Sequence, residues 1–295
     1  MRRSLCAALS VAFIASSVAF LAPVAQAAPV AKAGDCLSDA DVVKDMVDFS
    51  SKVDCATPHR AQVLSVRKLP ASLRKMSYSD LGKTGSAAYR AWTEAGYKLC
   101  AGTPIARTVW GKAGPGIMRA LGSSAVQILP SQVGWNLPDE RSWNAGDRSL
   151  YCIGHNDGST MTGDLRNLGT NKPSRENRDC YDADYNEIPC DRPHDNELLF
   201  VWYAKGFPRV SDTSTLTAED YAPWDKRCQG ALDVLVGAKR SDIYAYAEVD
   251  SSSGSRNVAW GPHSDTSLMY CSVRRSDGKP LPAGTVVKLG SKSLS

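Results

Sequence analysis

Two histidines, each preceded by a proline, lie in phrases with matching spacing. One phrase, at 55–62, reads Cys-Ala-Thr-Pro-His-Arg-Ala-Gln, and the other, at 190–197, reads Cys-Asp-Arg-Pro-His-Asp-Asn-Glu. An imidazole can ligate a metal, transfer a proton or hydrogen-bond a ligand near neutral pH. The candidate binding residues are the two histidines and the amide or acid three positions after each: His59, Gln62, His194 and Glu197.

A structural role is the competing interpretation of these histidines. The proline fixes the backbone before a strand, and the ring can hydrogen-bond a buried carbonyl group or the following Gln or Glu. Catalysis would need partner groups that the sequence does not place nearby. The pattern therefore favours structural histidines and predicts no catalytic residue.

Two tryptophans are the other candidate binding residues. Trp143 and Trp260 each precede a predicted strand and are followed by a turn that contains glycine, at Gly146 or Gly261. In an open groove, such rings would stack on glycan rings. Buried rings would only pack in the core, and burial is the more usual state of tryptophan.

The cysteines after residue 27 fall in the same order in two halves of the chain: Cys36, Cys55, Cys100 and Cys152, then Cys180, Cys190, Cys228 and Cys271. An even number in an exported chain favours disulfide bonds. We favour first with second and third with fourth in each half, because the first pair closes a local loop and the second joins a helix to a strand. The other pairings within a half remain open. No Cys-x-x-Cys pair occurs, so no metal site is predicted.

The start of the chain resembles a secretory signal peptide. Arg2 and Arg3 precede an apolar run at 5–24, and Ala-Gln-Ala at 25–27 is typical of a cleavage site. An uncut membrane anchor is the alternative. We expect cleavage after residue 27, an extracytoplasmic location and no stable membrane span in the mature chain.

Charge and motifs exclude several classes of protein. The formal net charge of +4 falls to +2 without Arg2 and Arg3, and the basic residues are scattered, so no nucleic acid partner is expected. His-Glu-x-x-His, Gly-x-Ser-x-Gly and glycine-rich phosphate loops are all missing from the sequence. No cofactor is therefore predicted, and an enzyme is disfavoured.

Each half is predicted to contain a strand after its Pro-His phrase and then a helix that carries the third cysteine. Apolar stripes at helical spacing mark the helices: Ala88, Trp92, Ala95 and Leu99, then Trp224, Cys228, Ala231 and Leu235. Pro223 suits the first turn of the second helix. The predicted strands are 63–66, 124–129 and 150–153 in the first half, and 198–204, 242–249 and 268–273 in the second.

The sequence thus predicts an α+β protein with two tandem homologous β-α-β-β domains. Each has a small sheet, one main helix and two disulfides. The stretch 167–177 is polar, contains Gly169 and Pro173, and has no apolar period, so it is the predicted linker. The predicted domains are 28–166 and 178–295.

Several of these motifs together resemble the septum formation domain family of actinobacteria. In the first half they are Gly-Asp-Cys-Leu at 34–37, Val-Asp-Cys at 53–55 leading into Pro58-His59, and Trp143 with Gly-Asp-Arg at 146–148 before Cys152. In the second half they are Cys190, Pro-His-Asp at 193–195, Glu197, Trp260 and Cys271, with Gly-Pro-His at 261–263 in place of Gly-Asp-Arg. The resemblance implies a place at the division septum and supplies no catalytic residues.

These observations favour a non-enzymatic binding or scaffold protein of the cell envelope that contacts wall polymer or division proteins. Two binding sites on one chain would raise the effective affinity for a polymeric partner. The alternative is a wall-modifying or metal-dependent hydrolase built around His59 and His194. A third possibility is a secreted structural domain without a small ligand.

Overall fold

A computed structural model describes residues 30–41, 46–122, 126–127, 132–155, 160–166, 168, 179–208, 210, 213–249, 266–288 and 294. The strands in these ranges are β1 (Cys36–Leu37), β2 (Ala40–Asp41), β3 (Met46–Val47), β4 (Lys52–Val53), β5 (Ala61–Lys68), β6 (Val126–Gln127), β7 (Gln132–Asn136), β8 (Ser149–His155), β9 (Cys180–Tyr181), β10 (Glu187–Ile188), β11 (Asn196–Lys205), β12 (Ile243–Val249) and β13 (Thr266–Arg275). The α-helices are α1 (Tyr78–Gly82), α2 (Ala87–Cys100), α3 (Thr103–Trp110), α4 (Gly114–Leu121), α5 (Glu140–Asn144) and α6 (Ala218–Val236).

Two antiparallel sheets carry their strands in the same order. Sheet 1 has the order β4-β1-β5-β8-β7, and sheet 2 has the order β10-β9-β11-β13-β12. The strand after each Pro-His phrase is central and pairs with the strand that holds the fourth cysteine. The predicted α+β fold class is confirmed, and the two sheets are consistent with two tandem domains.

One long helix packs on one face of each sheet. The apolar stripe of α2 is buried at Trp92 and Ala95, and the stripe of α6 is buried at Trp224 and Leu235. A disulfide joins each helix to its sheet, and a second disulfide closes the hairpin before the Pro-His phrase. The four bridges are Cys36–Cys55, Cys100–Cys152, Cys180–Cys190 and Cys228–Cys271, which is the favoured pairing.

The first half contains further elements, and some of them pack on the second half. Helix α4 lies close to α6 at Gly116, where a Cβ atom would come within 2.8 Å of the side chain of Val234. The ring of Trp110 at the end of α3 lies 5.3 Å from the ring of Phe200 on β11. Strand β6 pairs with β11 of sheet 2. One buried apolar cluster therefore spans both halves.

Two predictions about elements are wrong. Pro223 is not in the first turn of its helix, because Thr217 and Asp220 form a capping box that starts α6 at Ala218, five residues earlier. The predicted strand at 124–129 is described only as β6, which joins the other half's sheet. The strand that pairs with the outer edge of β8 in sheet 1 is β7, which was not predicted and contains Gly134.

Several predicted features lie outside the described residues. They are the signal peptide at 1–27, the linker except Leu168, Trp260, and the turn at 261–263. In the part of the chain that is described, no helix is long and apolar enough to cross a membrane.

Candidate functional site

Each Pro-His phrase holds the segment that follows the last strand of its sheet, an arrangement we call a clasp. His59 exchanges two backbone hydrogen bonds with Met161, of 2.9 and 2.8 Å, and His194 exchanges two with Leu281, of 3.1 and 2.6 Å. The carbonyl group of the cysteine that opens the phrase accepts from a glycine N–H group, at 2.5 Å in the first half and 2.7 Å in the second. The two phrases thus make matching contacts.

The two histidine rings are buried inside these clasps. The Nδ1 atom of His59 lies 2.8 Å from the carbonyl oxygen of Thr57, and that of His194 lies 2.9 Å from the carbonyl oxygen of Arg192. Because a carbonyl oxygen only accepts, Nδ1 is the donor and carries the proton in both rings. Burial lowers the pKa of His59, against the opposing effects of the Thr57 carbonyl group and Asp164. Neither imidazole is exposed to a substrate in solution.

The residue three positions after each histidine differs for a chemical reason. The side chain of Gln62 donates to Asp164 Oδ1 at 2.8 Å and accepts from the N–H group of Leu165 at 2.7 Å. Glu197 accepts from the Val286 N–H group at 2.8 Å and from the hydroxyl group of Thr285. An amide therefore suits the first clasp, and a carboxylate suits the second.

Trp143 is a core residue in this structure. It lies on α5 with 1% of its surface exposed. The guanidinium group of Arg148 lies 4.1 Å from the ring centre and donates to the Trp143 carbonyl oxygen. A ring enclosed in this way has no open face for a sugar.

The face of sheet 1 turned away from its helix, which we call its outer face, is closed. Strands β2 and β3 and the turn at 48–51, together called the cover, lie over it. The ring of Phe49 in the cover lies 4.2 Å from the ring of Tyr151 on β8. The outer-face residues are fully buried: Leu37, Ala61, Val63, Tyr151 and Ile153.

The outer face of sheet 2 has a different character. It contains a cavity of about 260 Å³, which we call the tyrosine pocket. The pocket is lined by Tyr181, Tyr185, Asn196, Leu198, Tyr246, Glu248, Tyr270 and Ser272. Tyr185, in the turn between β9 and β10, has 55% of its surface exposed. No counterpart of the cover lies on this face among the residues that the structure describes.

Asn196 is the centre of the hydrogen bonds in the pocket. Its Oδ1 atom accepts from the hydroxyl group of Tyr246 at 2.6 Å and from the guanidinium group of Arg274. Arg274 also donates to the hydroxyl group of Tyr185 at 2.6 Å. The Nδ2 atom of Asn196 is buried and has no hydrogen-bond partner within the described part of the chain. A buried amide donor without an acceptor is costly, so the pocket favours a ligand or water that accepts from it.

Glu248 adds a partly desolvated carboxyl group to the lining of the pocket. Burial raises the pKa of Glu248, and the hydroxyl group of Ser272, 3.3 Å away, and the charge of Arg274 oppose the shift. Burial also raises the pKa of Tyr246 and of Tyr181, so both phenols are neutral at physiological pH. The pocket therefore presents neutral hydroxyl groups, an amide and one carboxyl group.

A second cavity, of about 220 Å³, adjoins the tyrosine pocket. Its lining includes Tyr244, Arg274, Arg275 and Lys279. Arg275 and Lys279 both approach the carboxylate of Asp277, at 2.7 and 3.6 Å, so part of this positive charge is neutralised.

Neither cavity was predicted from the sequence. A signal was present in β12, where Tyr244, Tyr246 and Glu248 alternate with alanines and so share one face. Among the described residues, no group of three or more His, Cys, Asp or Glu side chains could hold a metal ion.

Comparison with known proteins gives one match. The model of the septum formation family matches residues 130–262, which run from the end of the first half to beyond β12. The match includes Trp143, Cys152, His194 and Trp260, and it leaves out His59 and three cysteines of the first half, Cys36, Cys55 and Cys100. It is therefore narrower than the resemblance carried by the sequence motifs. No curated protein and no solved structure matches the chain. The comparison thus supports, through residues 130–262, the septum formation family that the sequence motifs resemble.

Proposed function

We propose that the chain is a non-catalytic, extracytoplasmic binding protein linked to septum formation, and that the outer face of sheet 2 is its binding surface. The observation that carries the proposal is the tyrosine pocket on a sheet whose counterpart in the same chain is closed. Pockets lined by aromatic rings with a few convergent polar groups are typical ligand sites. The family match supports the link to septum formation, and the four disulfides support a location outside the cytoplasm.

The state of the histidines supports binding over hydrolysis. A general base must reach the proton that it removes, within about 3 Å or through one water molecule. Nδ1 carries the proton in both rings, so the basic atom is Nε2, and the Nε2 atoms of His59 and His194 are both buried, out of reach of a substrate in solution. An imidazole in this state is suited to holding the clasp.

The test is localisation of the exported full chain, fused to a fluorescent protein that folds outside the cytoplasm, in dividing cells. We expect enrichment at septa for the wild type and loss of that enrichment for Tyr185→Gly. Glycine relieves the positive φ of 62° at this position, so the variant removes an exposed ring without straining the backbone.

Tyr244→Ala is the matched control. Tyr244 is also largely exposed, at 42%, but it lines the neighbouring cavity instead of the tyrosine pocket. The control should keep septal enrichment. An even distribution of the wild-type fusion around the cell would contradict the septal role. Equal enrichment of wild type and Tyr185→Gly would contradict the assignment of the binding surface.

A further inference from the structure

We infer that the tyrosine pocket binds one sugar ring of a glycan chain. The inference rests on the proposed function, because it names the ligand of the proposed binding surface. It follows from three features of the pocket: the polar groups that replace apolar ones, the amide donor without a partner, and a cation that already lies against two of the rings.

A comparison of matched positions shows that the pocket is built for a polar ligand. The residue after the first cysteine of each half is Leu37 in sheet 1 and Tyr181 in sheet 2. The residue after the fourth cysteine is Ile153 in sheet 1 and Ser272 in sheet 2. In each case a side chain that packs under the apolar cover is replaced by one that carries a hydroxyl group.

At the start of the central strand, the apolar residue Ala61 of sheet 1 is likewise replaced by a polar residue, Asn196, in sheet 2. An apolar protein segment similar to the cover would leave the Nδ2 donor of Asn196 without a partner, which costs free energy. A ligand that can hydrogen-bond to it avoids that cost, and sugar hydroxyl groups both donate and accept.

The hydrogen-bonding groups of the pocket match a sugar ring in kind. The free Nδ2 donor of Asn196, in a residue with 1% of its surface exposed, requires an acceptor. The carboxyl group of Glu248 can accept from a hydroxyl group of the same ring. The tyrosine rings supply apolar surface for the C–H groups of the sugar.

The size of the cavity limits how many sugar rings of the glycan can enter. A volume of about 260 Å³ lies just below the range of about 300–1,000 Å³ that is usual for small-molecule sites. One ring fits that space better than several do. The rest of the glycan would then leave the pocket past the exposed ring of Tyr185.

A cationic ligand is a poorer match for the same tyrosines. The guanidinium group of Arg274 already lies 5.0 Å from the ring centre of Tyr246 and 5.3 Å from that of Tyr185. These are cation–π contacts, so an ammonium ligand would have to displace this cation or be repelled by it. A neutral sugar meets no such charge conflict.

Isothermal titration calorimetry of the full chain tests the inference. The probe is the β-1,4-linked tetramer of N-acetylglucosamine, whose rings carry hydroxyl groups and a carbonyl acceptor. We expect saturable binding, with affinity at least tenfold lower for Tyr185→Gly and for Asn196→Ala. Alanine is the residue of sheet 1 at the matched position, so Asn196→Ala should fold, and a thermal melt checks this. Tyr244→Ala should bind within twofold of the wild type.

The outcomes separate the ligand from the function. Wild-type binding that both pocket variants weaken supports the inference. If the wild type binds no tetramer while Tyr185→Gly still loses septal enrichment, the inference of a glycan ligand is overturned. The proposed binding surface is then supported, with a protein as the partner. Tetramer binding that is unchanged in both variants would place the glycan elsewhere and overturn the inference. Unchanged septal enrichment of Tyr185→Gly would overturn the proposed surface as well.

Discussion

The outer faces of the two sheets differ although the sheets have the same strand order. On sheet 1, the chain between the first two cysteines forms the cover and buries aliphatic side chains. On sheet 2, the corresponding cysteines are separated by 10 residues instead of 19, and the short turn between them contributes Tyr185 to an open pocket. The length of this one hairpin therefore distinguishes a closed core face from a candidate binding face.

The inner faces and the clasps vary far less. Both sheets keep the helix-to-strand disulfide, the buried histidine and the clasp, in which that histidine hydrogen-bonds the segment after the last strand. These shared contacts therefore set the fold of each half, while the outer face can change its chemistry without disturbing them. The two halves thus act as a built-in control for one another.

The largest effect should come from removing the ring that closes sheet 1. Phe49→Ala deletes a buried ring that packs on Tyr151, and such a change costs about 3–5 kcal/mol of unfolding free energy. Tyr185→Gly on sheet 2 removes a ring that is largely exposed but has a hydrogen bond and a cation–π contact with Arg274, so it should cost no more than about 1.5 kcal/mol. Chemical denaturation of the disulfide-intact protein, followed by circular dichroism, measures both values. A loss below about 1 kcal/mol for Phe49→Ala would show that the cover contributes little to stability.

The next effect distinguishes the two clasps. Gln62→Glu would place a second carboxylate against Asp164, whose pKa is lowered by hydrogen bonds from Arg166 and Gln62 despite its burial. We expect a loss of about 2–3 kcal/mol at neutral pH, since a buried donor is lost and two like charges meet. Glu197→Gln keeps one acceptor for its two donors and should cost about 1–2 kcal/mol.

The same denaturation experiment compares these two variants. The loss for Gln62→Glu should shrink as the pH falls, because protonation of the introduced carboxyl group restores a donor and removes the repulsion. Equal losses for both variants at every pH would mean that hydrogen-bond chemistry does not decide between an amide and an acid at these two positions.

The elements that could be predicted from the sequence are those with strong, local periodicity. The stripe from Ala88 to Leu99 located α2 within one residue at each end, and the run at 198–204 located most of β11. In strand β7 the apolar alternation is limited to Val133 and Trp135, with Gly134, a residue depleted in strands, between them. The start of α6 was predicted wrongly from Pro223, because the capping box at Thr217 starts the helix five residues before that proline.

The candidate site was harder to predict for a geometric reason. The tyrosines of the pocket come from two distant parts of the sequence. Tyr181 and Tyr185 lie in β9 and the turn after it, whereas Tyr246 and Tyr270 lie in β12 and β13. Only the strand order of sheet 2 brings the two pairs together. Burial is also a property of the assembled fold. It separates Trp143, which is enclosed, from the exposed Tyr185, although both residue types are common in binding sites.

The smallest effect tests the charge at the base of the tyrosine pocket. Glu248 has a pKa raised by burial above the ordinary value of 4.5, so the folded state releases this proton at a higher pH than the unfolded state does. As the pH rises through that interval, the unfolded carboxyl group ionises first and stability is lost. Glu248→Gln should therefore raise the melting temperature slightly at pH 7 and leave it unchanged at pH 3, where both states of the wild type are protonated.

Glu94→Gln on α2 is the control with the opposite sign. The pKa of Glu94 is lowered by its hydrogen bond and ion pair with Lys98, at 2.8 Å, so its charged form favours the folded state. That variant should melt slightly lower at pH 7 and match the wild type at pH 3. A melting temperature at pH 7 that falls for Glu248→Gln as it does for Glu94→Gln would mean that the Glu248 carboxylate stabilises the fold. The presence of a buried carboxylate at position 248 would then be explained by stability alone, without a ligand.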